Sequence, residues 1–271
     1  MNWSKAKTIL IIFLLCTSFI LSYMLIGSKE KSMTINPQTV EHTINLLEKR
    51  GVKLSGDLIS KRISNELIYN VENVISDYAS FAETVFPSCI PSENDFYTAH
   101  DGIGTINFFA DRFNIKFPNG YPTSHKLKSP SDKARAYLLA IGIDVGDAHV
   151  SVENDAEGIF TVSFTNKLGK FQFFDCNIKA VLKGENIINV SGTWFNQLDI
   201  SPAQSGLKPL TSLLIDYSAH TKSFTNIEIT DINFGYSINE FGVYHKQSTV
   251  SPIYQIVTSD GKLFYIDARG M

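Results

Sequence analysis

The 271-residue sequence predicts an α+β fold: a single N-terminal transmembrane helix followed by antiparallel sheets, each packed by helices, in repeated helix-then-strands modules. Three observations predict it. The chain opens with the uncharged run "TILIIFLLCTSFILSYMLI". Helix starts written as Asn-Pro or Ser-Pro recur along the chain. Between them stand alternating apolar stretches punctuated by glycine turns, without the β-α-β alternation of a parallel dinucleotide-binding core.

The apolar run comes first. Thr8 to Ile26 is 19 residues without a charge. At helical rise that is about 28 Å, close to the roughly 30 Å of a bilayer's hydrocarbon core. A cleavable signal has a shorter apolar region and a small-x-small cleavage site. Here Ser22-Tyr23-Met24-Leu25-Ile26-Gly27-Ser28 places bulky residues where small ones are needed. The run is therefore expected to stay attached as a transmembrane helix over residues 8–27, behind a cytoplasmic leader of residues 1–7. Lys5 and Lys7 precede it, so the positive-inside bias places the N-terminus in the cytoplasm and the body outside the membrane. Ser18 and Ser22 lie four apart on one helical face, beside Thr17 on the neighbouring row. Small hydroxyl residues at that spacing let another helix approach closely and hydrogen-bond across the gap. Thr17, Ser18 and Ser22 are the candidate partner-binding face. In the alternative reading of the same residues, each hydroxyl satisfies itself on the carbonyl one turn back.

The body is expected to divide into two α+β subdomains, residues 28–125 and 126–271. Asn36-Pro37 is a helix cap followed by proline, Val40, Ile44 and Leu47 form a face, and Gly51 ends the helix. In "NELIYNVENVISDYASFAETVFP" two readings stand. Leu67, Val71, Val74, Tyr78, Phe81 and Val85 fit one helical face, or Leu67–Val71 is a strand with a helix starting near Ser76. "FYTAHDGIGTINFFADRFNIKFPNG" reads as short strands around turns, and the loop Pro118–Lys128 as a boundary. Then "SPSDKARAYLLAIGID" is a helix capped by Ser129, with Ala134, Tyr137, Leu138 and Ile141 as its apolar face. Strands "HVSVEN", "GIFTVSFTN", "KFQFFDCNIKAVLKG" and "NIINVSGTWFN" follow, with turns at Gly158, Gly169 and Gly184. "SPAQSGLKPLTSLLIDYSAH" repeats the helix start, with Ser201, Pro202 and Gln204 in capping-box order and a main helix near Leu210–Ala219. The chain closes with "FTNIEITDINFGYSIN" and "SPIYQIVTSDGKLFYIDAR", whose Asp260-Gly261 is a hairpin turn.

Charge and motif narrow the function. Of 24 basic side chains, Lys5 and Lys7 precede the apolar run, which leaves 22 against 27 acidic ones in the remainder. A mildly acidic body without a basic stripe argues against nucleic acid as a partner. The motif search returns no His-Glu-x-x-His, Cys-x-x-Cys, Gly-x-Ser-x-Gly or phosphate-loop pattern. His42, His100, His125, His149, His220 and His245 stand singly, so no metal, cofactor or catalytic residue is indicated. Asp144 and Asp147 read as a helix end and a turn, and the sequon at Asn189 falls in a strand. Cys89 and Cys176 could pair after export, or stand as two unpaired buried thiols.

The two ends also carry a resemblance. The opening "MNWSKAKTILIIFLL", with Trp3, basic residues and then a single span, resembles that of the YycI (WalI) family. "LIDYSAHTKSFTNIEITDINFGY" and "SPIYQIVTSDGKLFYIDARG" resemble the family's closing module, which related YycH proteins share: an apolar helix, an "ITDINFGY"-like strand and a Pro-x-x-x-Ile…Asp-Gly…Tyr hairpin. The resemblance covers the span and roughly residues 200–268, and the middle only as an order of elements. It implies a YycH/YycI-like fold and a membrane-anchored accessory protein of the WalK–WalR (YycG–YycF) two-component system of low-GC Gram-positive bacteria. Such a protein, with YycH, contacts the sensor histidine kinase, partly through transmembrane helices. It thereby adjusts autophosphorylation and cell-wall metabolism. The family has no known catalytic residues to carry over. Phe171, Phe173, Trp194, Phe195, Phe264 and Tyr265 are candidate contact residues on exposed sheet faces, or else core. Other readings are an extracytoplasmic binding module or protease inhibitor merely tethered to the lipid bilayer, and an anchored hydrolase.

Overall fold

The computed structural model describes residues 13–19, 35–59, 67–75, 77–92, 95–100, 102–124, 126–202, 206–222, 224, 226–238 and 246–270. The fold is mixed and mostly sheet. Residues 13–19 are helical (α1). Then come α2 (Pro37–Glu48), β1 (Val52–Lys53), β2 (Leu67–Asn73), α3 (Tyr78–Val85), β3 (Ile90–Pro91), β4 (Phe96–Thr98), β5 (Thr105–Phe109) and β6 (Arg112–Pro122). The second half holds α4 (Pro130–Ala140), β7 (His149–Asn154), β8 (Ile159–Leu168), β9 (Phe171–Lys183), β10 (Asn186–Gly192), β11 (Phe195–Pro202), α5 (Leu210–His220), β12 (Ile227–Ile238), β13 (Gln247–Thr258) and β14 (Leu263–Asp267). Among the described residues no helix is long and apolar enough to cross a membrane. Of the expected span only α1 is described, and its Phe13, Leu14, Leu15 and Phe19 are exposed.

The chain forms two compact units, each assembled from distant segments. Unit 1 takes Met1–Glu66, Ser205–Asn233 and Gln255–Met271, and unit 2 takes Leu67–Gln204 and Phe234–Tyr254. The division expected at residues 125/126 does not coincide with this split, because it falls inside unit 2 between β6 and α4.

In unit 1, Asn36 caps α2 by accepting the Gln38 N–H at 3.0 Å. The helix buries Val40, Thr43 and Leu47. It packs on α5, which buries Leu210, Leu213 and Leu214. Arg50 joins the two: its Nη1 donates to the Ile215 carbonyl and the Ser218 hydroxyl, both at 2.7 Å. Gly51 then turns the chain at φ 78°, where a Cβ would lie 2.5 Å from Asn226 Oδ1. That turn delivers β1 to a parallel pairing with β12, Val52 opposite Ile227. The expected Asp260-Gly261 hairpin closes with the Thr258 N–H donating to the Lys262 carbonyl.

In unit 2 the strand order is β11-β2-β13-β12-β9-β10-β6-β5-β4-β3, with β8 on the other edge of β9 and β7 outside β8. Residues 67–85 adopt the strand-then-helix reading: β2 pairs with both β11 and β13, and Asp77 caps α3. Ser129 caps α4 as expected, and Ala134, Tyr137, Leu138 and Ile141 are buried. The core runs from Tyr69 to Val250 and is rich in aromatic edge contacts, among them Phe86–Phe117 and Phe117–Tyr137. Each such pair contributes about 0.5–1.5 kcal/mol beyond area burial.

Three expectations are corrected. Ser201 and Pro202 do not start a helix; they end β11, paired with Ile68 and Leu67. A local cap pattern loses there to a strand pairing more than 130 residues away in sequence. Residues 118–122 are not loop but the end of β6, where Tyr121 and Pro122 pair with Ile187 and Asn186. Residues 117–120 form a wide bulge, since Asn189 already pairs with Lys116. The sheets are not purely antiparallel, because β12 runs parallel to β9 with Gly235 opposite Gln172.

Gly192 ends β10 at φ 153°, just before the chain passes to β11. A Cβ there would overlap the Asn177 carbonyl oxygen and lie 2.7 Å from the Ile178 Cα. Gly192→Ala is therefore expected to lower stability by about 3 kcal/mol or more, read as a drop in the urea midpoint with α4 and the hairpin untouched.

Candidate functional site

The side chains that carry chemistry gather on one face of unit 2. β5, β6, β10, β9 and β8 lie side by side, and their pairing sets the outward side chains in transverse rows. One row runs Asn107–Asn114–Ser191–Lys179–Ser163, each residue directly opposite the next. Beside it Phe109 stands opposite Arg112 and Asn177 opposite Thr165. On the other flank Thr105 stands opposite Lys116, and Lys116 opposite Asn189. The alternate residues Ile106, Phe108, Phe113, Ile115, Ile178 and Val190 are core, which obliges these to face outward.

The rows line an open groove of about 710 Å³. Its floor is polar. Asn189 Nδ2 donates to Asn114 Oδ1 at 2.6 Å and to the Ile115 carbonyl at 3.0 Å. Asn177 Nδ2 donates to the Phe174 carbonyl at 3.2 Å. Asn107, Asn114, Asn177 and Asn189 all line the groove. The Phe109 ring is 73% exposed. Arg112 and Lys179 are exposed, and neither has an ion-pair partner within 4 Å among the described residues.

Asp175 lies at one end. Its Oδ2 accepts the Ser237 hydroxyl at 2.5 Å and the Ile238 N–H at 2.8 Å. Burial raises its pKa above the ordinary carboxylate value, opposed by the Ser237 and Ile238 hydrogen bonds and by the Arg112 charge. Behind it Cys176 is core: its Sγ accepts the Phe195 N–H at 3.1 Å, and burial pushes the thiol up to about 12.

The residues singled out from sequence fare differently. Thr17 is half-buried, and its Oγ1 donates to the Leu14 carbonyl at 3.0 Å, within its own helix. Ser18 is exposed, and Ser22 lies outside the described residues. Phe173, Trp194 and Phe195 are core rather than contact surface, because the alternation of β9 and the turn at Gly192 point them inward. Phe171 and Phe264 are half-buried, and Tyr265 is 47% exposed. Cys89 and Cys176 are both free thiols. Asp144 accepts the Gly146 N–H at 2.9 Å in the expected turn. Among the described residues no three His, Cys, Asp or Glu side chains converge as metal ligands. The groove was missed in sequence, although one signal was present: asparagine is disfavoured in strands, yet it occupies outward positions 107, 114, 177 and 189 in neighbouring ones.

No family model matches the sequence, and no curated protein matches it significantly. Several solved structures are similar to the chain, two of them as follows. One is an uncharacterized protein from Eubacterium rectale ATCC 33656, with a TM-score of 0.47 and 9% identity over 84% of this chain and 96% of that one. The other is YycH from Bacillus subtilis, with a TM-score of 0.44 and 13% identity over 76% of this chain. The match spans 54% of the YycH chain.

The raised pKa of Asp175 has a signed consequence. Below the unfolded-state value, about 3.9, both states hold the proton. As pH rises from there through the folded-state value, the unfolded state ionises first, so this group's contribution to stability falls. Asp175→Asn, whose Oδ1 can still accept both hydrogen bonds, is expected to remove that fall. The check is the urea midpoint of both proteins from about pH 4 to 7, where the variant gains on the wild type as pH rises.

Proposed function

We propose that this chain is a membrane-anchored accessory regulator that works by contact, without turnover. In this reading the N-terminal run holds it in the cell membrane of a Gram-positive bacterium, with the N-terminus cytoplasmic and the body extracytoplasmic. It binds a sensor histidine kinase of the WalK (YycG) type together with a YycH-like membrane protein, and modulates kinase autophosphorylation and hence cell-wall homeostasis.

The observation that carries the reading is the make-up of unit 1. The two stretches that bear the YycI resemblance lie at opposite ends of the chain, yet α2, the first helix described behind the apolar run, packs on α5 of the closing module. Arg50 and the β1–β12 pairing complete that joint. In this reading a displacement of the anchor reaches the closing module through α2, as a protein that couples membrane helices to an external contact requires. A helix packed among a kinase's spanning helices biases two arrangements of that bundle when its contact energy differs between them, and about 1–3 kcal/mol is a typical coupling.

A second reading, an extracytoplasmic binding module with the span as a mere tether, is favoured by the polar groove of unit 2. Under that reading a soluble protein of residues 32–271 keeps full activity.

Replacing residues 1–27 with an unrelated span separates the two. Loss of kinase from pull-downs, with a shift in autophosphorylation of about fivefold or more, is expected for the regulator. Unchanged kinase activity after the swap counts against helix contact.

A further inference from the structure

We propose that the groove on unit 2 binds a carboxylate-bearing oligosaccharide, with Phe109 as its stacking platform and Arg112 and Lys179 as its anion contacts. This goes beyond the kinase reading and does not depend on it, so either can fail alone.

The first argument is composition against position. Asparagine is among the residues most depleted in strands, because its carboxamide competes with the backbone for hydrogen bonds. Four asparagines on neighbouring strands of one groove break that local rule together, and such breaks concentrate at functional sites. A carboxamide offers donors and an acceptor side by side. Each sugar hydroxyl also both donates and accepts, so the carboxamides of Asn107, Asn114, Asn177 and Asn189 lining the groove complement a polyol face.

The second argument is the aromatic ring. Phe109 is 73% exposed and stands opposite Arg112 at the groove's rim. A bare ring beside a hydrophilic floor suits a ligand that is apolar on one face and polar at its edges, which describes a pyranose ring. The third is charge. Asp175 is already tied to Ser237 and Ile238, while Arg112 and Lys179 have no ion-pair partner among the described residues. The groove's lining sets two cations, Arg112 and Lys179, against one carboxyl, Asp175, in a chain of net charge -3, and the surplus calls for a carboxylate on the ligand. The volume, about 710 Å³, lies within the roughly 300–1,000 Å³ of small-molecule sites.

A peptide fits less well. Extended peptides add to a strand edge through main-chain hydrogen bonds, with pockets for alternate side chains. This groove crosses the faces of strands already paired on both sides, so only side-chain tips are on offer.

The test uses the full-length chain in a polyoxyethylene detergent, which carries no sugar head group, with titration calorimetry of a hyaluronan hexasaccharide and of trigalacturonate. At least one is expected to bind, and neutral chitohexaose to bind about tenfold more weakly or not at all. Phe109→Ala should weaken binding about tenfold, and Arg112→Gln or Lys179→Gln about fivefold each, with unchanged melting temperatures because all three side chains are exposed. Should one variant fold poorly, the other two decide. Absence of binding by both acidic oligosaccharides at about 5 mM overturns the proposal, as does binding that all three variants leave intact. Equal affinity for hexaglutamate, lost with Lys179→Gln but not with Phe109→Ala, also overturns it and marks a plain charge patch.

Discussion

One irregularity in β9 organises unit 2. Its buried residues alternate from Cys176 onward through Ile178, Ala180 and Leu182, but Phe173 precedes Cys176 by three positions rather than two. The pairing with β8 slips in the same place: Thr165 stands opposite Asn177 and Lys167 opposite Gln172, five positions on β9 against two on β8. A bulge over residues 173–176 takes up the excess. Before it, β9 pairs in parallel with β12; after it, the strand pairs antiparallel with β10. A straight strand has one neighbour per edge, and the bulge lets this edge change partner partway along. It also turns Asp175 onto the Ser237 hydroxyl and the Ile238 N–H, at the very place where β12 would otherwise lose its ladder.

The same bulge produces the groove. Past Asp175 the outward positions become Asn177 and Lys179, of which Lys179 lines up across β10 with Ser191 and across β6 with Asn114. Inward, Cys176 receives the Phe195 N–H, a backbone donor that the turn at Gly192 would otherwise leave orphaned in the core. Core order and surface chemistry therefore share one origin. The polar rows stay in register because the buried residues between them cannot shift without leaving the core.

Unit 1 rests on a different device. Arg50 gives its guanidinium to the Ile215 carbonyl and to Ser218, and Gly51 brings the chain close against Asn226. The backbone behind α2 is thereby committed to the closing module.

The sequence alone determined the elements whose signals are local. The caps Asn36 and Ser129, the face of α4, the turns at Gly158, Gly169 and Gly184, and the Asp260-Gly261 hairpin all follow from residues a few positions apart, where one side chain reaches its own backbone. The charge-free run is likewise a property of the chain read in order. Tertiary structure decided the rest. Ser201-Pro202 has the same cap-like order as Ser129-Pro130, yet it ends a strand because β2 supplies its hydrogen bonds. Residues 67–85 and 118–122 were settled by distant strands in the same way. The groove draws Asn107, Asn114, Asn177 and Asn189 from four strands, and only the register between those strands, set by burial of the residues alternating with them, makes neighbours of side chains up to about 80 positions apart in sequence.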